Sequence, residues 1–326
     1  MIERHLQLIL AQAFRSLCRS TDDDVLDDLF DELDQLRRSV PRAFWENELW
    51  QFAQNHPLCD FLLEDPYTRL AFDSQPSSLA EAELLELACS CEYTVPATDV
   101  GRRVFRCTRR LGMRAFQERR QTMVHLIREL LREKRGVRVA MVGCGALREL
   151  ESIEDAAWEG VQEVVAIDDR QPMLTLARKG YRRRPVTFAS KGVSQLLQSD
   201  PLKWQPQDLI CVPDWCDYAE RAEVRELVRC LAGQLKPGGL LFLSARADQA
   251  PGSGYRDLFM NWRRPAWTEE DFVTEVARPS SELLADIDLL TGPRRSTLQL
   301  VGRRSPDMPG DPSGSAAAGR GQELAF

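Results

Sequence analysis

The chain has 326 residues and a formal net charge of −7, with 43% apolar and 29% charged residues. This size and composition are typical of a globular protein with two domains or one domain with a large appendage. The negative charge disfavours a nucleic-acid-binding protein, and the lack of a long uncharged apolar stretch disfavours a membrane-spanning one. The opening MIERHLQLILAQAFRS predicts an amphipathic helix rather than a signal peptide, so we expect a cytoplasmic protein.

The cysteines do not form a metal-binding pattern. Nine cysteines and three histidines are present, but neither Cys89-x-Cys91 nor Cys211-x4-Cys216 combines with a histidine at zinc-ligand spacing. The odd number and the apolar surroundings favour reduced, buried, structural thiols.

Residues 1–135 predict helices throughout. An acidic segment capped by Ser20 or Thr21 opens one helix, and apolar residues recur at helical spacing in 44–63, 78–91 and 114–134. We predict an N-terminal helical domain over 1–135 that acts as a lid or substrate domain. Its helices are also the candidate surface for a homodimer.

After Arg135 the pattern changes to short apolar runs that alternate with helical stretches. Such alternation is typical of a parallel sheet covered on both faces. Two further runs, joined by a Gly-Pro turn, predict an antiparallel pair that closes the sheet. We predict a Rossmann-like α/β domain over 136–303 and a disordered tail over 304–326. The predicted strands are 137–143, 163–169, 185–190, 207–213, 239–245, 283–290 and 296–302, and the predicted helices are 147–158, 171–180, 192–198 and 219–235.

The first predicted strand ends in Gly143-Cys144-Gly145. In an open parallel sheet, ligands bind beyond the carboxyl ends of the strands where the strand order reverses, and glycines let the backbone approach the ligand. A dinucleotide fingerprint would require a small residue where Arg148 stands, and the Gly-Lys-Ser/Thr of triphosphate loops is absent. A nucleoside ligand without phosphates fits this loop better.

The second predicted strand ends in two acidic residues, Asp168 and Asp169, and Asp168 lies 23 residues after Gly145. A carboxylate at this place accepts hydrogen bonds from the hydroxyls of a ribose. We assign that role to Asp168 and expect Asp169 to point elsewhere. A Lys-Pro-Gly-Gly turn at 236–239 precedes the fifth strand and makes the combined pattern specific.

The segments GCG, VVAIDD followed by MLTLAR, and LKPGGLLFL resemble the class I S-adenosylmethionine-dependent methyltransferases over residues 137–302. The resemblance implies a Rossmann-like fold with a seven-stranded, mostly parallel sheet, and S-adenosyl-L-methionine as the cofactor. It also implies a small-molecule substrate. A different Rossmann-like nucleotide-binding domain is the alternative.

From Glu48 to Arg303 the chain is further similar to the methyltransferases of 3-hydroxypalmitic acid methyl ester biosynthesis. The similarity rests on DPYTR (65–69), RAFQERR (114–120), the Asp-Tyr pair after the fourth strand and the Trp-rich segment after the fifth. That family continues from its Thr-Arg into a Lys-Pro-Arg-Gly-Tyr-Ala-Gly-Asp motif, which residues 75–82 lack. The departure implies a different acceptor or a different reaction with the same cofactor.

The resemblance also implies roles for residues. The backbone of the glycine loop would face the methionine part of the cofactor, Asp168 its ribose, the loop after the third strand its adenine, and the end of the fourth strand its methionyl group. Arg148 or Glu149 would pair with the cofactor's carboxylate or ammonium, although ordinary solvated helix positions are favoured for both. The predicted cofactor-binding residues are Gly143, Cys144, Gly145, Asp168, Asp169, Ser190, Lys191, Gly192, Val193 and Val212.

Methyl transfer from a sulfonium is a direct displacement, in which alignment and desolvation supply much of the acceleration. The α/β region contains no histidine, so a general base would be Asp214, Asp217 or Tyr218, or would come from His56 or Tyr67. A carboxylate acceptor needs no base, which favours an acid or an amine over an alcohol. Aromatic candidates to face the sulfonium are Trp215, Tyr218, Tyr255, Trp262 and Trp267.

The run at 102–120 is the most basic stretch of the chain. It would suit a nucleic acid or an anionic carrier protein, but its arginines are spread around a helix, so an ion-paired, solvated face is favoured. Two other functions stay open for the whole chain. One is an enzyme of the same fold that cyclises S-adenosylmethionine to azetidine-2-carboxylate with release of methylthioadenosine, and the other is a non-catalytic binding protein.

Overall fold

The computed structural model describes residues 1–19, 23–74, 78–89, 98–198, 205–262 and 266–305. The predicted tail beyond Ser305, the predicted caps Ser20 and Thr21, and the first part of the 75–82 segment lie outside these residues. Within them, no helix combines the length and the apolar character that crossing a bilayer requires. The N-terminal α-helices are α1 (Ile2–Arg19), α2 (Asp24–Ser39), α3 (Arg42–Phe44), α4 (Trp50–Gln54), α5 (Leu58–Leu62), α6 (Pro66–Asp73), α7 (Ser78–Cys89) and α8 (Asp99–Glu133).

The prediction of helices in this region is confirmed, with two corrections. The single helix expected over 44–63 is divided: α3, a π-helix at Trp45–Leu49 and α4 follow one another without a gap. Pro57 then separates α4 from α5. Conversely, the helix expected at 114–134 begins earlier, where the Thr98 side chain accepts a hydrogen bond from the Gly101 amide.

Helix α8 connects the two halves of the structure. Its first half packs in the helical core through Val104, Cys107 and Leu111. Its second half packs against the sheet through Met123 and Ile127. One long helix therefore fixes the N-terminal helices relative to the carboxyl edge of the sheet.

The sheet has seven strands in the order β3-β2-β1-β4-β5-β7-β6. The first five strands pair in parallel, whereas β7 pairs antiparallel with β5 and β6, as the Gly-Pro turn predicts. The order reverses between β1 and β4, which is where such sheets bind ligands. The strands are β1 (Val137–Val142), β2 (Val161–Asp168), β3 (Val186–Ser190), β4 (Gln207–Val212), β5 (Leu235–Arg246), β6 (Leu284–Thr291) and β7 (Thr297–Arg304).

The prediction of an α-helix at 147–158 is wrong. The segment forms two 3-10 helices, Arg148–Ser152 and Asp155–Gly160. Leu147 is left-handed, with φ of 58°, and both Leu147 and Leu150 are buried; this spacing of three matches the period of a 3-10 helix. The remaining α-helices are α9 (Gln171–Gly180), α10 (Val193–Gln198), α11 (Arg221–Gly233), α12 (Ser253–Phe259), α13 (Glu269–Phe272) and α14 (Arg278–Ser280), with a π-helix at Val273–Ala277.

Buried polar contacts hold α12 against α2. The Asp34 carboxylate accepts hydrogen bonds from the amides of Gly252 and Gly254, each at 2.7 Å. Arg37 forms an ion pair with Asp257 at 2.7 Å. These contacts close one side of the space between the helices and the sheet.

Candidate functional site

A cleft lies over the carboxyl ends of β1, β2 and β4, at the reversal of the strand order. It has an outer section of about 660 Å³ along β2 and β3 and an inner section of about 690 Å³ under the N-terminal helices, and both volumes include the open mouth. The two sections share Gly143, Arg170 and Asp214. Residues that line only the outer section include Asp168, Asp169, Lys191, Gly192, Val193, Gln195 and Trp215. Residues that line only the inner section include Tyr67, Glu86, Phe116, Arg119, Arg148, Glu149, Arg246 and Arg256.

The glycine loop after β1 lies at the centre of the cleft. Gly143 and Gly145 have φ of 70° and 52°, a left-handed conformation that favours glycine. The amides of Gly143 and Cys144 donate to the Ile167 carbonyl, and the Gly145 amide donates to Asp168 at 2.7 Å. These hydrogen bonds fix the glycine loop against the end of β2. Burial raises the pKa of the Cys144 thiol, so this cysteine is not a thiolate.

The predicted ribose ligand, Asp168, is held by an arginine that the sequence analysis did not single out. The Arg170 guanidinium forms an ion pair with Asp168 at 2.5 Å, and the carboxylate is almost fully buried. Arg170 also reaches the Gly143 carbonyl, at 3.5 Å. Asp169, expected to point elsewhere, is exposed and lines the outer section.

The loop after β3 reaches the cleft with three of its four predicted residues. Lys191, Gly192 and Val193 line the outer section. Ser190 does not line it, because its hydroxyl accepts a hydrogen bond from Gln171 on the surface. The side chain of Val212 is wholly buried in the core beneath the cleft, so its predicted contact with the ligand would have to be made by its backbone.

The three predicted catalytic residues lie in the turn after β4, but each has a different environment. Asp214 lines both sections of the cleft. Asp217 does not line either one, and its buried carboxylate accepts a hydrogen bond from the Arg246 amide at 2.6 Å. Tyr218 is half-buried and is not among the residues that line the cleft. It is close enough to Arg170 to raise the pKa of that guanidinium. Asp217 thus fixes the end of β5, and its catalytic role stays a prediction.

Glu149 lies in the inner section as a buried carboxyl, contrary to the solvated position that the sequence favoured. Burial raises the pKa of Glu149 from 4.5 to about 7, with Asp214 reinforcing this shift and Arg119 opposing it. At neutral pH this group exchanges a proton readily, which suits proton transfer.

Arg148 lines the inner section, but its guanidinium is ion-paired with two glutamates of the protein. Its guanidinium binds Glu86 of α7 at 2.9 Å and Glu151 at 2.6 Å. The pair ties α7 to the loop that follows β1, so the helical segment after residue 78 becomes part of the roof over the cleft.

The DPYTR segment (65–69) helps to form the helical cover over the inner section of the cleft. The Asp65 carboxylate accepts hydrogen bonds from the Tyr67 and Thr68 amides and from the hydroxyls of Thr68 and Thr108. Thr68 also bonds to the Tyr255 hydroxyl at 2.8 Å. Tyr67 thereby reaches the inner section, whereas Asp65 acts as a helix cap.

Of the five aromatic candidates for the sulfonium, only Trp215 lines the cleft in the described structure. Tyr255 and Trp262 lie in the helical core, and Trp267 lies in the core of the sheet, where it donates to the Cys216 carbonyl. Phe116 and Tyr67 supply the other aromatic rings of the lining.

The basic run at 102–120 forms ion pairs on its exposed face, as the sequence analysis favoured, but two of its arginines are buried. Arg106 and Arg110 pair with Asp23 and Asp27 of the helical region. Arg103 and Arg119 are buried instead, and Arg119 lines the inner section. Because these arginines are spread around the whole helix, some of them must face the interior, so the sequence indicates that at least one is buried.

Residues 140–243 match the family model described as "Methyltransferase domain". A comparison with curated proteins gives no match. A possible exported protein from Bordetella parapertussis has a similar structure, with 18% identity over 94% of this chain and 97% of that chain and a TM-score of 0.56. The N-methyltransferase NodS from Bradyrhizobium japonicum WM9, in complex with S-adenosyl-L-homocysteine, shares 18% identity over 69% and 98% of the chains, with a TM-score of 0.45.

The sheet order and the family match confirm the predicted Rossmann-like class I methyltransferase fold with an N-terminal helical region. The match indicates a methyltransferase domain, for which the cofactor is S-adenosylmethionine.

Proposed function

We propose that this chain transfers the methyl group of S-adenosylmethionine to a small carboxylate or amine acceptor, in bacterial specialised or signalling metabolism. The observation that carries the proposal is the two-section cleft, whose centre is the glycine loop in the region matched as a methyltransferase domain. The outer section would take the adenosine part of the cofactor and the inner section the acceptor.

The residues at the centre of the cleft fit the cofactor. The loop at Gly143–Gly145 is open to the cleft, since a Cβ at either glycine would meet Asp214 or Arg170 only at ordinary contact distance. The carboxylate of Asp214 suits the positive charges of the ammonium and the sulfonium, and Trp215 offers an aromatic face.

The charges of the inner section favour an anionic acceptor. Five arginines and three carboxylates line it. Arg148 is paired with Glu86 and Arg170 with Asp168, so three further arginines share the section with Glu149 and Asp214. Arg119 of α8, Arg246 of β5 and Arg256 of α12 come from three separate elements to the same space, and Arg119 and Arg256 are almost fully buried. Guanidinium groups that converge in a closed space are the usual means of binding a carboxylate.

A second candidate is supported by Glu149. The α-ammonium of the cofactor would first give a proton to Glu149 in its ionised form, and a buried carboxyl with a pKa of about 7 beside the loop can accept it. The amine nitrogen would then attack its own γ-carbon, the carbon–sulfur bond would break, and methylthioadenosine would leave.

The deciding experiment is mass spectrometry of the purified protein with S-adenosylmethionine, first alone and then with a panel of small acids and amines. Formation of S-adenosylhomocysteine only when an acceptor is present supports methyl transfer. Formation of methylthioadenosine without any acceptor supports cyclisation. If the protein neither binds nor consumes the cofactor, the proposal is wrong and a binding role without catalysis is favoured.

A further inference from the structure

The wall of the inner section on the side of the sheet carries two neighbouring carboxyl groups. Glu149 follows the glycine loop and is 5% exposed. The Asp214 carboxylate lies beside the same loop, 3.7 Å from the place of a Cβ on Gly143. Burial raises the pKa of Glu149, and the charge of Asp214 raises it further. A cation placed between the two carboxyls would offset this repulsion, so this wall suits an ammonium group.

The wall on the side of the N-terminal helices carries a buried guanidinium. Arg256 lines the inner section and is 5% exposed, on a helix that packs in the helical core through Tyr255 and Leu258. Within the described part of the chain Arg256 forms no ion pair, and the ring of Trp262 lies 6.0 Å from its Cζ. A buried cation without an anion is costly, and the carboxylate of a ligand would supply the missing partner.

The two walls differ in which group of a bound ligand they would activate. A carboxylate held by a guanidinium has its charge and its lone pairs engaged, which makes it a weak nucleophile. A nitrogen beside Glu149 can give a proton to that carboxyl and then attack with a free lone pair. Glu149 and Asp214 also lie at the carboxyl ends of β1 and β4, next to the proposed place of the cofactor.

We propose that the acceptor is a small amino acid, whose carboxylate binds Arg256 and whose amine is methylated beside Glu149 and Asp214. The inference rests on the proposed function and narrows its acceptor from an acid or an amine to a molecule that is both. The ammonium gives one proton to ionised Glu149. The nitrogen then bonds to the methyl carbon, and the carbon–sulfur bond breaks with its electron pair remaining on sulfur. The products are an N-methylated ammonium and S-adenosylhomocysteine, and Glu149 releases its proton to solvent.

The first test uses the unmodified protein with S-adenosylmethionine that carries a trideuterated methyl group. The acceptors are glycine, β-alanine, γ-aminobutyrate, phenylalanine and anthranilate, each beside the matched acid without the amine and the matched amine without the carboxylate. At least one amino acid should be methylated with a kcat/KM about 10–100-fold above that of its matched amine. Mass spectrometry should show a labelled product that survives alkali, which hydrolyses a methyl ester, and the matched acid should stay unlabelled.

Two variants then assign the residues. Arg256→Gln should raise the KM for the amino acid about 10–100-fold and leave the affinity for S-adenosylhomocysteine in titration calorimetry unchanged. Glu149→Gln should lower kcat about 100-fold or more, since it removes the proton acceptor. Arg15→Gln on α1 and Glu159→Gln replace exposed residues outside the cleft, so they are the matched controls. Thermal unfolding checks that every variant folds.

The inference is overturned by an alkali-labile methyl ester as the product, or by equal methylation of an amino acid and its matched amine. It is also overturned if the cofactor binds but no amino acid of the panel is methylated. These comparisons use the unmodified protein, so they hold even where a variant does not fold. A loss of S-adenosylhomocysteine affinity in folded Arg256→Gln would place the cofactor's own carboxylate at this arginine and refute its assigned role. If the unmodified protein does not bind S-adenosylhomocysteine, the proposed function itself is wrong, which is a separate outcome.

Discussion

Glu149 should make the stability of the folded chain depend on pH in a way that Glu149→Gln removes. Burial raises the pKa of this carboxyl from 4.5 to about 7. Between these values the unfolded chain has released the proton while the folded chain still holds it, so the free energy of unfolding falls as the pH rises. At about 1.4 kcal/mol per pKa unit, the loss reaches about 3 kcal/mol above pH 7.

Urea unfolding of the unmodified protein and Glu149→Gln, from acid to mildly alkaline pH, measures this effect. Below the unfolded pKa both carry a neutral side chain, so they should differ little there. Above the folded pKa the variant should be more stable, by an amount of the order of that loss. Glu159→Gln, an exposed carboxylate, controls for the general titration of the chain. If Glu149→Gln is instead less stable at alkaline pH, the carboxylate is ionised and stabilised by Arg119, and the reasoning from burial is refuted.

Three further predictions concern the roof of the cleft and the acceptor. Asp65→Ala should lower the free energy of unfolding by about 2 kcal/mol in urea titrations, because it removes a helix cap and leaves the Thr108 hydroxyl without this partner. Gly254→Ala should lower it by about 1–3 kcal/mol, since the Cβ would lie 2.7 Å from the backbone of Leu33; an unchanged melting temperature would contradict this contact. Under the proposed function, Arg256→Ala should raise the KM for an acid acceptor about 10-fold or more with little change for a neutral one, and equal effects on both would contradict an anion site.

The sheet could be predicted closely because its strands carry their own signal. Buried parallel strands contain short apolar runs, such as VAMV in β1, which ends before Gly143, and LICV in β4, which ends before Pro213. The helix expected at 147–158 failed for a local reason that the apolar pattern does not contain. Leu147 takes a left-handed conformation after the glycine loop, and the chain continues in 3-10 geometry instead of an α-helix.

At the site, the residues found from the sequence belong to the local motif, and the residues missed are charged ones whose burial depends on distant partners. The glycine loop and Asp214 follow directly from the ends of β1 and β4. Arg170 left a weak signal, since an arginine two residues after an acid at a strand end can fold back onto it. No local signal distinguishes Arg119 from the solvated arginines of the same helix.

This division has a physical consequence for specificity. The outer section is lined by the loops that follow β1, β2, β3 and β4, all of them within the sheet region. The inner section is also closed by the N-terminal helices, through pairs such as Arg148 with Glu86, 62 residues apart, and through α12 held against α2 by Asp34. Since these helices line the inner section and not the outer one, a substitution on a helix is expected to change the proposed acceptor space more than the proposed cofactor space. A departure such as that at 75–82, which precedes the α7 segment carrying Glu86, is therefore expected to alter the acceptor and leave the cofactor unchanged.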